Sequence, residues 1–407
     1  SSAFEIKADL THDLSVFNAF QGPKLNYSHE KMEDCLQMTP HSILFEYGIK
    51  DHDIEVHQHA TFKKIFFRTG GKEIPFDLFG ASFWLLSRYE EYLPHKTDKF
   101  NRFHYKSSIA YQHDFLETPL VNLWQFALKD LLQKKYPELE FNTRTYNFRS
   151  TIDVDNAFLY RDKGAVRILA GYVSDLIHGN FSGIKARTSI LLNRKVDPFD
   201  CYDFLIKVNK ENHTESIYFF LLGDYGVNDK NIPASNRHFQ SLIKHIADYS
   251  QIGIHPSFGS GNRMQQLLIE ISRLSSITHK QVRSSRQHFS ILKFPYTYNS
   301  LLQAGITDDY TMGYTNKNGF RASYCHPYKW YNLIEETVSS LTLHPFTFTE
   351  NTIEYESSLN KKSFEENTSH FIEQVKQYGG ELVTIFHNNS FNEKMKVNYI
   401  ELIKRTV

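Results

Sequence analysis

Asp153 and Asp155 carry the first chemical signal in this sequence, in the run Arg149-Ser150-Thr151-Ile152-Asp153-Val154-Asp155-Asn156. Residues two apart in a strand point to one face. If residues 151–155 end a strand, both carboxylates project together at its C-terminal end, where α/β folds place their chemistry. Two acids so placed can divide the work, one holding a metal ion and the other taking a proton. The competing reading is an Asx-rich turn after a strand.

Other apolar runs end on groups that could join them. Ile252-Gly253-Ile254 leads to His255 and a Gly/Ser-rich loop at 256–261. Arg286 and His288 stand two apart, on one face if extended, and an arginine can grip a carboxylate through two parallel hydrogen bonds. Leu382-Val383-Thr384-Ile385-Phe386 leads to His387, a residue type that serves as a general acid near neutral pH. Leu341-Thr342-Leu343 leads to His344. For each, the plain alternative is a hydrogen-bonded structural histidine or a surface cation. In the N-terminal part His57 and His59 would share a strand face and could bind a metal, but their polar setting reads as a solvated turn. Residues 88–92 read as a helix surface. Residues 308–310 and 319–322 read equally as pocket walls or solvated loops. The chain holds no Gly-x-Ser-x-Gly elbow, no phosphate-binding glycine loop and no His-Glu-x-x-His, which weakens serine hydrolase, nucleotide-binding and zincin readings.

These groups need a frame to bring them together. Strand patterns at 150–154, 216–222, 251–254, 287–293 and 382–386 alternate with helical patterns at 235–249, 262–274, 297–304 and 363–378. Strands separated by helices imply a parallel sheet or barrel with crossovers. Residues 160–214 read as a mostly helical insertion after the first of these strands. Upstream, residues 42–47 and 61–67 read as strands, with Gly70-Gly71 as a turn. Residues 76–93 and 119–136 carry helical periodicity, and Tyr136-Pro137 stops the second helix. The chain therefore divides into an α+β domain over 1–145 and an α/β domain over 146–407, as a length of 407 residues also favours.

Composition excludes several classes. Lysine plus arginine equals aspartate plus glutamate at 46 each, so net charge gives no sign of nucleic acid or an anionic membrane as partner. No apolar stretch reaches the roughly 18 residues of a membrane span. Cys35, Cys201 and Cys325 are far apart and odd in number, which argues against a disulfide framework and for a reducing compartment; the cytoplasm is the expected location.

Taken in order over residues 148–395, these segments resemble the polysaccharide deacetylases, carbohydrate esterase family four. The family's Thr-Phe-Asp-Asp motif has Asp-x-Asp relatives, and Thr151-Ile152-Asp153-Val154-Asp155 matches that form. The resemblance implies Asp153 as general base, Asp155 and His255 as metal ligands, Arg286 as the group that steadies the base, and His387 as general acid. It also implies a distorted seven-stranded (β/α) barrel preceded by a smaller α+β domain, as in a divergent bacterial branch. One departure stands out: the family places a second histidine four residues after the first, where this chain has Gly259. His288, beside Arg286, is the expected replacement, with His344 as the other candidate. Gln287-His288 also stands where the family prefers prolines. The implied cofactor is a divalent metal, zinc first, with cobalt or nickel as alternatives. The implied substrate is an acetylated, chiefly N-acetylated, sugar or surface polysaccharide precursor. A small amide is a further substrate reading, and a silent barrel that binds a glycan or a biosynthetic partner is the reading Gly259 favours. Oligomeric state stays open.

Overall fold

Five strands run parallel in chain order: Asn147–Val154, Glu215–Phe220, Gln251–Ile254, Ser284–Ser285 and Asp308–Asp309. Glu381–His387 lies on the other side of Asn147–Val154. They belong to a computed structural model that describes residue 4 and residues 6–142, 144–261 and 263–407. The chain is mixed α/β and folds as two compact units. One runs up to Asn147 and adds Met312–Thr347 and His370–Leu382; the other comprises Phe148–Thr311, Phe348–Ser369 and Val383–Val407. The two later segments, expected in the second domain, group with the first unit instead. Among the described residues no helix is long and apolar enough to cross a membrane.

In the first unit, helix Leu120–Lys135 turns Trp124 into the core. Its Nε1 donates to the carbonyls of Phe62 and Lys64, each at 3.0 Å, and Phe66 and Phe76 meet its ring edge-on. Gly319 passes so close to Leu116 that a Cβ would lie 2.6 Å from its carbonyl oxygen, and its φ of +137° suits glycine alone. The expected helix over 76–93 is cut short at Leu86, because Arg88 adopts left-handed backbone with φ 56°. Residues 88–92 are therefore not a helix surface. Arg88 and Glu91 are buried, and Glu91 also accepts two bonds from Arg321. Residues 42–47, expected as a strand, form the 3-10 turn Ser42–Phe45, capped by the His41 ring. His57 and His59 do lie on a short hairpin strand. His59 is occupied in its turn, where Nδ1 accepts the N–H groups of Thr61 and Phe62.

In the second unit strand Glu215–Phe220 is apolar along most of its length because both its faces are covered. Ile217, Tyr218, Phe219 and Phe220 are all fully buried, and Ile217, Phe219 and Phe220 each contribute about 1.5–3 kcal/mol by leaving water. Gly253 is required where it stands: a Cβ would sit 2.5 Å from the Phe219 ring and 2.8 Å from the Ser284 carbonyl oxygen. After the first strand the chain forms helices Ala165–Ile177, Phe181–Leu191 and Tyr202–Glu211.

Among the described residues no strand pairing closes the sheet on itself, so the expected distorted seven-stranded barrel is not confirmed. Two strands on one side are only two residues long, Ser284–Ser285 and Asp308–Asp309, too short to carry a continuous ladder around a barrel. The expected strand at 287–293 is instead a 3-10 turn, His288–Ser290, with φ of 57° at Phe289 and 50° at Ser290. The apolar alternation of Phe289 and Ile291 mimics a strand, but the backbone bends away to place His288.

Candidate metal centre

The register of the parallel strands sets the site. Val154 pairs with Phe220, Phe220 with Ile254, Ile254 with Ser285 and Ser285 with Asp309. Asp155, His255 and Arg286 each follow the last residue of this row, so they emerge side by side at the C-terminal edge. Backbone bonds hold them there: His255 N–H donates to Phe220, Arg286 N–H to Ile254 and His288 N–H to Pro256.

Asp155 Oδ1 lies 3.2 Å from His255 Nε2 and 3.6 Å from His288 Nε2. The three ligand atoms all fall within 4.8 Å of one another, and among the described residues no other such cluster occurs. Each imidazole is fixed from behind. His255 Nδ1 is 2.6 Å from the Arg286 carbonyl oxygen, and His288 Nδ1 is 2.9 Å from Asp229 Oδ1. A carbonyl or carboxylate there accepts the Nδ1 proton and leaves Nε2 with its lone pair, the arrangement that orients metal-binding histidines. Two lone pairs and a carboxylate oxygen then face one another. Such a group is stable only with positive charge among them, supplied by a cation or by protons. Asp155 Oδ1 is buried with no hydrogen-bond partner of its own. The spacings match a tetrahedral ion, whose ligands at about 2.1 Å would stand about 3.4 Å apart. The residues therefore fit a divalent cation.

The electrostatics agree. Burial raises the Asp155 carboxyl, but the His288 charge and the closeness of both imidazoles outweigh it and hold it well below the usual range. Burial lowers His288, but Asp155 and Asp229 lift it to about 9. The charge that would hold a cation thus also holds a proton.

Asp153 sits beside this cluster with Oδ2 3.9 Å from His255 Nε2. Its Oδ1 accepts from Arg286 Nη1 at 3.0 Å. Arg286 is fully buried. It also bonds Thr151 Oγ1 and the Tyr310 carbonyl, and its guanidinium lies over the Phe219 ring at 4.7 Å. Thr151, Asp153 and Asp155 share one strand face, so one arginine spans the first two. Behind it, buried Asp309 accepts from Ser285 Oγ, Thr311 Oγ1 and Thr311 N–H, and Thr311 Oγ1 accepts the Gln287 N–H.

His387 ends strand Glu381–His387, with Nδ1 2.8 Å from Glu350 Oε1. That oxygen also accepts from the His387 N–H and Ser390 Oγ. Burial lowers His387, but Glu350 lifts it to about 10, helped by Asp155 and Asp153. Nε2 is the nitrogen left for a reacting atom.

The structure therefore gathers Asp153, Asp155, His255, Arg286 and His288 in one cluster, with His387 close enough for its charge to act on Asp155. His344 is not among them: it belongs to the first unit and pairs with Glu381 at 2.7 Å. Two residues were missed from sequence. Asp229 comes from a polar loop with no motif, and only the folded contact reveals it. Glu350 follows the apolar run Phe346-Thr347-Phe348 at the start of helix Glu350–Asn360, so the strand-end rule applied to the other residues would have found it.

Residues 1–137 match a family described as "Family of unknown function (DUF7033)". No curated protein matches the chain. Among solved structures the chain is similar to a candidate polysaccharide deacetylase from Mycobacterium smegmatis, at 14% identity and a TM-score of 0.38, over 65% of this chain and 85% of that one. It is also similar to a candidate polysaccharide deacetylase involved in O-antigen biosynthesis from Bordetella bronchiseptica, at 12% identity and a TM-score of 0.33, over 64% and 84%. A third is a pseudoenzyme of carbohydrate esterase family four from Bacillus anthracis, at 8% identity and a TM-score of 0.32, over 64% and 60%. All three likenesses are distant.

Proposed function

We propose that this chain is a metal-dependent hydrolase that removes acetyl groups from an acetylated carbohydrate, with an N-acetylated sugar as the preferred substrate. The observation that carries this reading is the convergence of His255 Nε2 and His288 Nε2 on Asp155 Oδ1, with both Nδ1 atoms engaged by acceptors. Asp155, His255 and His288 would hold a divalent ion, and two nitrogens with one carboxylate suit zinc. When bound, such an ion supplies Lewis-acid polarisation of a carbonyl and lowers the pKa of water.

The chain's own residues supply the proton transfers. Arg286 occupies Asp153 Oδ1, which leaves Oδ2 on the side of His255. Asp153 thus takes a proton from the attacking water, with its orientation fixed by a buried guanidinium. His387 holds a proton at neutral pH because Glu350 lies against its Nδ1. It gives the Nε2 proton to the leaving nitrogen as the acyl C–N bond breaks, and acetate and a free amine result. A silent barrel drew its support from the missing histidine at 259. With His288 on the same carboxylate oxygen, that support weakens.

The test pairs metal content with acetate release from N-acetylglucosamine oligomers. About one divalent ion per chain, lost in Asp155→Ala and His255→Ala together with acetate release, is the expected result. A protein that takes up no zinc, cobalt or nickel would sink the reading.

A further inference from the structure

Helix Ala165–Ile177 buries none of its residues. Val166, Leu169, Val173, Leu176 and Ile177 are all exposed, from 48% at Val173 to 82% at Val166. At 3.6 residues per turn these five fall within about 100° of arc and make one continuous apolar stripe. The opposite side is already used. Tyr172 bonds Thr188 and Asp175 pairs with Arg187 on the next helix, Phe181–Leu191. The hairpin therefore turns its polar side inward and its apolar stripe to solvent, the reverse of a helix packed on a core. Phe181, just past the turn, is 71% exposed as well.

Charge identifies the occupant. Residues 165–196 contain five basic side chains, Arg167, Lys185, Arg187, Arg194 and Lys195, against one acid, Asp175. The balance of the whole chain hides this local excess. Arg187 is paired with Asp175 and Arg167 with the carbonyls of Lys230 and Asn231, which leaves Lys185, Arg194 and Lys195 exposed on the same hairpin and the segment after it. An exposed apolar stripe together with exposed cations fits an anionic lipid surface, which takes the stripe into the headgroup–acyl boundary and the cations at the phosphates. A second copy of this chain would bring the same basic hairpin to the contact and set like charges against one another.

We propose that the hairpin of Ala165–Ile177 and Phe181–Leu191 docks this protein on anionic membrane surfaces, with helix Ala165–Ile177 lying in the interface plane. The inference stands apart from the proposed reaction, since no residue of the metal cluster takes part.

The test is co-sedimentation of the full chain with vesicles of phosphatidylcholine alone or with about a quarter phosphatidylglycerol. Binding to the anionic vesicles, weakened by salt and about tenfold weaker without phosphatidylglycerol, is expected. The exposed triple variant Leu169→Ser, Val173→Ser, Ile177→Ser should lose about tenfold or more. The double variant Lys185→Glu, Lys195→Glu, which leaves the stripe intact, should lose affinity for anionic vesicles only. Circular dichroism and metal content report whether each variant stays folded. A wild type that ignores anionic vesicles overturns the proposal, as does a serine variant that binds as well as wild type. A concentration-dependent dimer abolished by the serine changes, without vesicle binding, overturns it in favour of self-association.

Discussion

His288 turns Nδ1 to Asp229 Oδ1 at 2.9 Å, and Asp229 accepts in turn from the N–H groups of Phe258 and Gly259 at 2.9 and 3.1 Å. The backbone at Phe258 and Gly259 thus holds the carboxylate that orients His288. Asp229→Asn keeps the size of the side chain but loses the charge that favours the Nδ1–H tautomer. Metal affinity should fall about 10- to 100-fold, read by competition against a chromophoric chelator. An unchanged affinity would leave Asp229 a purely structural residue.

Under the proposed function, a histidine at position 259 would offer the ligand that His288 supplies. A Cβ at Gly259 would meet only ordinary contacts, Ser257 Oγ at 3.6 Å and Asp229 Oδ2 at 3.7 Å. His288→Ala alone should abolish tight metal uptake. Adding Gly259→His to that variant should recover about tenfold in affinity or more, measured by the same titration. No recovery would mean that a side chain at 259 does not reach Asp155.

Much of this site was legible because strand-end residues obey a simple rule. A run of apolar residues ending in Asp or His marks the C-terminal edge of a parallel strand, and Asp155, His255 and His387 were picked out that way; Arg286 was picked out by its spacing from His288 alone. His288 was reached through its spacing from Arg286, yet the strand assumed for it does not exist. Its backbone is bent with left-handed residues on its C-terminal side, a conformation that local propensity does not signal. Asp229 was invisible because its role depends on a loop contact across the fold. The distorted barrel is unconfirmed for a related reason: periodicity shows that residues are extended, not how many ladder partners they find.

Asp153→Asn separates proton transfer from metal binding. The amide can still accept from Arg286 Nη1, so the buried guanidinium keeps its partner, but a proton acceptor is gone. Acetate release should fall by about 10²–10⁴ while metal stoichiometry stays at the wild-type value. A near-normal rate would remove Asp153 from the base role.

Stability of the first unit should hinge on Glu91. Its carboxylate lies between Arg88 and Arg321, all three nearly inaccessible. Glu91→Ala leaves two buried guanidinium groups without their shared anion. Breaking such a cluster costs about 3–5 kcal/mol, visible as a lowered urea midpoint or an insoluble product. A wild-type midpoint would mean that water enters and solvates the arginines.

The pH profile tests the pairing of His387 with Glu350. Burial alone would push this imidazole below its ordinary value; the adjacent carboxylate reverses that and lifts it to about 10. A raised folded pKa favours the charged form. The pair's contribution to stability is therefore complete below about 6.5 and is lost as pH rises through about 10. An acid poised this high keeps kcat/KM flat through neutrality and lets it fall only on the alkaline side. In Glu350→Gln the main lifting charge is gone and only Asp155 and Asp153 oppose burial, so the alkaline limb should move down toward neutral pH. At pH 7 the variant should lose rate, and the loss should shrink as the pH is lowered toward 5, provided the metal stays bound. Direct titration of the His387 ring by NMR in both proteins gives the same answer without substrate. A limb that does not move on replacing Glu350 would assign the leaving-group proton to a different residue.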